Sequence, residues 1–209
     1  MNSLDEARHG CYIRHLARYF ARCWSKPQHV DALVLADRQA GIGRRLENLK
    51  KSSCVLSSST ISELECRLPM LFSQEYPQVL THGDLSRTNI LVDKNTFEIT
   101  GIVDWSLAGV LPFGMELDCL FLMTGYMNLS GWHDYACRSQ LQIAFWNEFW
   151  TVSGIEDSKR QKVRTLAESA AKIGAILRFA FQRNADGSSS EIVATSDRTS
   201  KYLNAWFTG

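Results

Sequence analysis

The chain has no C-x-x-C pair and no cluster of cysteines and histidines with the spacing of a zinc site. Its six cysteines, Cys11, Cys23, Cys54, Cys66, Cys119 and Cys137, are scattered along the sequence. Neither a structural zinc site nor the disulfide framework of a small secreted domain is therefore expected. No two of the histidines His9, His15, His29, His82 and His133 lie three or four apart, which removes a zinc site built on one helix. There is no G-x-S-x-G elbow of a serine hydrolase and no G-x-x-x-x-G-K-[ST] phosphate loop. No charge sign dominates either, with Lys+Arg 23 against Asp+Glu 22. Phosphate contacts need a basic excess, so neither nucleic acid nor an anionic membrane surface is an expected partner. The longest stretch free of Asp, Glu, Lys and Arg lies between Asp118 and Asp134 and is interrupted by Gly125, Asn128 and Gly131. A membrane span needs roughly 20 mostly apolar residues. The opening MNSLDEARHG has no apolar run and carries Asp5 and Glu6, unlike a secretory signal. Reduced thiols and a cytoplasmic location follow as expectations.

What is present is ordinary globular material, 45% apolar and 22% charged, enough over 209 residues for a real core. No repeat and no internal boundary is visible, so one domain over residues 1–209 is expected. Ile13, Leu16, Ala17, Phe20, Cys23 and Trp24 recur three and four apart and predict a helix that Pro27 ends. A second helix is predicted from the early thirties to Lys50, with Leu35, Ile42, Leu46 and Leu49 inward and Gly41 and Gly43 weakening its middle. SSCVLSSS, 52 to 59, reads as a loop, and Thr60 to Glu63 as a capping box opening a helix that is short or broken at Pro69.

From Gln78 the texture becomes β-branched. VLTH, NILVD and FEITGIVDW suggest short strands, two of them joined by the turn Asp93 to Thr96, with the polar loop GDLSRT before them. After Trp105 the strand signal vanishes. Helices are predicted over Leu117 to Met127, Tyr135 to Val152 and Lys159 to Asn184, the last with a stripe of Val163, Leu166, Ala167, Ala170, Ile173, Gly174, Leu177 and Phe181. The polar stretch from Asn184 to Ser200 reads as a surface connector, and Tyr202, Leu203, Trp206 and Phe207 as a docking amphipathic piece. The fold class expected is mainly α with one small β-hairpin.

The chemistry concentrates in THGDLSRTNILVDKNTFEITGIVDWS. Asp84 follows Gly83 in a loop after a strand, Asn89 lies five residues on, and Asp104 ends a later strand. Two carboxylates and an amide carbonyl gathered by a hairpin form a hard-oxygen set suited to Mg²⁺. A carboxylate left outside the metal shell can orient or deprotonate a hydroxyl. Phosphoryl transfer requires both: a cation on the phosphates and a positioned acceptor. An incidental acidic hairpin is the plain alternative.

The segment resembles the catalytic core of the aminoglycoside phosphotransferase and choline kinase group, a branch of the protein-kinase-like fold. His82-Gly83-Asp84, Asn89 and Asp104-Trp105-Ser106 stand where kinases carry H-R-D, Asn and D-F-G. The resemblance implies that Asp84 is the catalytic base, that Asn89 and Asp104 hold Mg²⁺ and with it ATP, that His82 braces the loop, and that Asp118 braces it through its backbone amides. Ser106 replaces the Glu or Gly of many relatives, which removes no metal ligand.

The resemblance also implies a protein-kinase-like C-terminal, or large, lobe, with a catalytic and metal segment over 80–118 and a helical substrate region over 119–209. Nothing before residue 78 reads as the five-stranded nucleotide-covering lobe, with its Gly-rich turn and strand lysine. That N-terminal lobe is therefore expected to be absent, or supplied upstream or in trans. Tyr126, Trp132, Asp134 and Tyr135, with Trp146, Glu148 and Trp150, are candidates to wall an acceptor pocket for a hydroxyl or amino-alcohol compound. Most of these aromatics serve equally well as core. Arg87 reads either as a phosphate contact or as a solvated side chain. The expected function is transfer of the ATP γ-phosphate to a small-molecule hydroxyl with Mg²⁺. The alternative is a non-catalytic lobe used for binding or assembly.

Overall fold

The helices and strands fall where apolar spacing and turn chemistry put them for about the first half of the chain, and depart from it after Trp105. The structure, a computed structural model, describes residues 3–52, 56–194 and 197–208. Ser53, Cys54 and Val55 of the expected serine-rich loop lie outside the described residues, and its last two residues, Ser58 and Ser59, are helical.

Helix α1 (Ser3–Trp24) turns Ile13, Leu16, Ala17 and Phe20 inward and packs along α5 (Arg138–Ser153). Between them sits an aromatic cluster. Phe113 stacks on Phe149 at 5.3 Å between ring centroids, and Trp24 meets Phe113 edge-on at 5.0 Å. Phe113, Phe145 and Phe149 are fully buried, each worth about 1.5–3 kcal/mol of transfer free energy. Trp146 and Trp150 stack on one another at 5.0 Å in the same core, and Glu148 pairs with Arg18 at 2.6 Å. Trp146 also lines a cleft of about 340 Å³ with Leu117, Phe121 and Arg138, whereas Glu148 and Trp150 do not reach it.

Helix α2 (Ala32–Ser52) buries Leu35, Ile42, Leu46 and Leu49 and runs unbroken through Gly41 and Gly43. It packs on α3 (Ser58–Leu71), whose cap is Ser57, three residues before the expected one. The Ser57 hydroxyl accepts the Thr60 N–H at 3.1 Å. Pro69 sits in the last turn and the helix continues through it to Leu71.

The described strands form four separate antiparallel pairs, so the single expected hairpin undercounts them. β1 (Gln78–Thr81) pairs with β4 (Gly109–Pro112), while β2 (Ile90–Val92) and β3 (Ile99–Ile102) form the hairpin read from the sequence. The stretch predicted as one helix from Leu117 divides into α4 (Asp118–Met123) and a hairpin of β5 (Gly125–Asn128) and β6 (Gly131–Asp134). A short apolar run fits helix or strand alike. What decides here is the turn, where Asn128 Oδ1 accepts the N–H groups of Ser130 and Gly131 at 2.8 and 3.2 Å.

Helix α6 (Asp157–Phe179) stops five residues short of Asn184. The expected connector is instead a hairpin of β7 (Phe181–Arg183) and β8 (Ser189–Val193), closed by a bond from Asn184 N–H to Ser188 O at 2.8 Å. Helix α7 (Asp197–Thr208) docks Leu203 inward, with Tyr202 stacked on Phe179 at 4.6 Å. Gly174 lets α6 close on the segment before α4, since a Cβ there would stand 1.8 Å from Met115 O. That close approach brings the end of α6 under the loop that follows β1. Among the described residues, no helix is long and apolar enough to cross a membrane.

Candidate active site

The loop after β1 is fixed by what surrounds it rather than by its own length. His82 is fully buried and uses both ring nitrogens. Nε2 meets Val103 O at 2.7 Å, and Nδ1 accepts the Asp84 N–H at 3.2 Å. Its ring also lies 4.8 Å from that of Trp105. The imidazole thus pins the loop to the chain leaving β3. Gly83 has φ +83°, and a Cβ there would fall 2.2 Å from Leu107 O. Only glycine fits this turn.

Asn89 ends a short 3₁₀ turn over 87–89 and is buried. Its Nδ2 donates to Asp84 O at 2.9 Å, which leaves its amide oxygen uncommitted to the loop. Its own carbonyl accepts the Val103 N–H at 3.0 Å. Asp104 follows at once with φ +62°, a left-handed backbone uncommon outside glycine and costly to hold, and its Oδ1 accepts the Ser106 hydroxyl at 3.0 Å. These bonds stitch the segments bearing Asp84, Asn89 and Asp104 side by side, although 20 residues of chain separate the first from the last.

Beneath the loop lies a side chain that the sequence did not single out. Arg178, near the end of α6, is 10% exposed. Its Nη2 stands 3.3 Å from Asp84 Oδ1, its Nε 3.2 Å from Asp118 Oδ2, and its Nη1 donates to Leu85 O at 3.0 Å. The contact with Asp118 is an ion pair poorly aligned for a hydrogen bond. Burial pushes the Asp118 carboxyl up to about 7, against the opposing pull of Arg178 and with a further push from Glu116. The neighbouring carboxylates in turn raise the guanidinium of Arg178, against its own burial.

Asp118 therefore reaches the loop through Arg178. The backbone contact expected of it is made by Glu116, two residues earlier, whose Oε1 accepts the Gly83 N–H. Burial raises the Glu116 carboxyl, and the amides of His82 and Gly83 oppose the rise.

The four aromatic and acidic candidates of the substrate region do not form one wall. Along β5 and β6 side chains alternate, so Tyr126 pairs across the hairpin with His133 on one face, and Trp132 and Asp134 take the other. Tyr126 stacks on His133 at 5.3 Å and lies 6.0 Å from Tyr135. Tyr135 in turn meets Arg87, which donates to Leu122 O, Gly125 O and Tyr135 Oη at 2.9, 2.9 and 3.3 Å. This pair adjoins the loop, and Arg87 is tied to the protein. Trp132 instead stacks on Phe121 at 4.5 Å and donates to Asp134 Oδ1 at 2.7 Å, while Asp134 pairs with Arg138 at 2.5 Å.

Among the described residues, no group of three or more His, Cys, Asp or Glu gathers to hold a metal. The loop offers another donor set, carboxylate oxygens and the free amide oxygen of Asn89. It fits Mg²⁺, which takes one or two carboxylates and completes its shell with water and phosphate.

The model of the phosphotransferase enzyme family, APH, matches residues 10–144. The chain belongs to this aminoglycoside phosphotransferase-like family. No curated protein matches it. Among solved structures, it is similar to a macrolide 2'-phosphotransferase type I, at 13% identity and a TM-score of 0.45, over 80% of this chain and 52% of that one. The chain thus spans about half the length of that structure.

Proposed function

We propose that this chain is the large, acceptor-side lobe of a protein-kinase-like enzyme that transfers the γ-phosphate of ATP to a hydroxyl of a small molecule. The observation that supports the reading is the set of bonds, through His82, Val103 and the Asn89 amide, that hold the segments bearing Asp84, Asn89 and Asp104 side by side. In this reading the catalytic and metal segment is 80–118, and residues 119–209 form the region beside the acceptor. Asn89 and Asp104 hold Mg²⁺, which offsets the charge of the nucleotide phosphates when bound.

Asp84, half exposed, takes the proton of the acceptor hydroxyl as its oxygen bonds to the γ-phosphorus. The bond from that phosphorus to the β-phosphate oxygen breaks, ADP leaves, and Asp84 later gives its proton to water. His82 braces the loop from above, and Asp118 braces it from below through Arg178. Among the described residues no sheet exceeds two strands, and in this reading the nucleotide-covering lobe is not part of the described fold. The free thiols of Cys11, Cys23, Cys66, Cys119 and Cys137 suit a reducing cytoplasm.

Incubation with Mg·ATP and a panel of small alcohols, followed by phosphorus NMR, tests the reading. A new phosphomonoester signal that requires both Mg²⁺ and the alcohol is the expected result. ATP turned over at one rate with and without every alcohol would defeat it.

A further inference from the structure

Behind the loop, between α2, α6 and the β7–β8 hairpin, lies a cleft of about 220 Å³. Gly83, Glu116, Asp118 and Arg178 line its inner side, and Arg45 and Arg183 its outer side. Arg178 lines the cleft and also stands 3.3 Å from the Asp84 carboxylate, so its guanidinium alone separates the cleft from the candidate base.

The charges in the cleft do not balance. Glu116 is committed to the Gly83 amide and Asp118 to Arg178, and burial raises both carboxyls toward the neutral form. Arg178 is committed to Asp84 and Asp118. Arg45 and Arg183 have no carboxylate partner among the described residues, and their bonds run to main-chain carbonyls. Arg45 Nη2 donates to Ser189 O at 3.2 Å, and Arg183 donates to Gly187 O at 2.8 Å and Arg178 O at 3.4 Å. The Nε of Arg45 is buried and has no acceptor at all, a costly state for a charged donor.

We infer that this cleft binds a small alcohol carrying a carboxylate or phosphate, its anionic end held by Arg45 and Arg183 and its hydroxyl turned toward Asp84. Planar guanidinium groups pair with carboxylate and phosphate oxygens through two parallel bonds. A cationic amino alcohol meets the same two arginines as repulsion. Size points the same way, since the cleft is smaller than the ~300–1,000 Å³ of sites for drug-sized ligands. A large glycoside acceptor does not fit it. The inference rests on the phosphotransferase reading for the fate of the bound hydroxyl, and not for binding itself.

Calorimetric titration without nucleotide tests it, with glycerate, glycerol 3-phosphate and choline as probes. At least one of the two anions binds, and which one distinguishes a carboxylate from a phosphate ligand; choline does not bind. Arg45→Gln and Arg183→Gln each weaken that binding about ten- to hundredfold, the worth of a charged hydrogen bond. Arg183 is exposed, so its replacement leaves the fold intact, and Arg45→Lys keeps a charge at the more buried position. Failure of both anions to bind, or unchanged binding in Arg45→Gln and Arg183→Gln, overturns the inference. Anion binding with no phosphate transfer sustains the cleft and removes the kinase reading. Transfer to choline without anion binding does the reverse.

Discussion

Asp84→Asn is expected to lower phosphoryl transfer by about 10²–10⁴-fold, the usual worth of a positioned general base. The loop survives this change because only its ion pair with Arg178 uses the half-exposed carboxylate, while its hydrogen-bonded ties do not. Asn89 grips the main-chain oxygen of residue 84, His82 grips its main-chain nitrogen, and Arg178 Nη1 holds the next carbonyl along. The amide of Asn cannot take the acceptor proton at neutral pH, yet it fills the same volume. The Michaelis constant for ATP should stay within a few-fold, and thermal stability close to wild type. Single-turnover rates for the two proteins check this. A loss of less than tenfold would remove Asp84 from the role of base.

Arg178→Met is expected to cost about 3–5 kcal/mol of stability near pH 8, the penalty for breaking a buried ion pair from one side. The variant leaves Asp118 buried with no cation, so its carboxyl rises further above the value of about 7 that it holds beside Arg178. A carboxyl raised above its unfolded value keeps its proton in the folded chain. This group's contribution therefore favours folding most at low pH and falls as pH rises from about 4 through the folded value. In the wild type that decline ends near pH 7; in Arg178→Met it continues above. The deficit should accordingly be smaller at pH 5.5 than at pH 8, as urea unfolding at both values would show. Turnover should fall as well, since Asp84 loses its only ion-pair anchor among the described residues. A deficit below about 1 kcal/mol at pH 8 would mean that the triad of Asp84, Arg178 and Asp118 is not a stability element.

The loop was legible in the sequence because its chemistry is contiguous. Three polar residues stand between β-branched runs, and a 21-residue span carries them all. The helices α1 and α2 were legible from apolar spacing alone, and their buried residues are those the spacing selects. Arg178 was hidden for the opposite reason. It lies 94 residues from Asp84, beyond the stretch that the family model covers, and a single arginine on an amphipathic helix ordinarily faces water. One signal was there to be used: position 178 falls four residues after Gly174, on the inward stripe itself. Glu116 was overlooked because Asp118, two residues on, matches the family pattern. Tyr126 and Trp132 are grouped as acceptor-site candidates because the family resemblance assigns their region to that site. The hairpin's two-residue alternation then separated them. Strands of three to five residues closed by side-chain-capped turns give too short a pattern for periodicity to find.

Thermal unfolding in millimolar Mg·ATP, with Asp104→Ala and Asp84→Ala run alongside the wild type, tests whether Asp104 holds the metal and Asp84 does not. Ligand at 100 times its Kd adds about 2.7 kcal/mol to the folded state. The expected result is a Mg²⁺-dependent rise in Tm for the wild type, its loss in Asp104→Ala, and its survival in Asp84→Ala, since the base need not hold metal. A rise of the same size in Asp104→Ala, or no Mg²⁺-dependent rise in any of the three proteins, would contradict it.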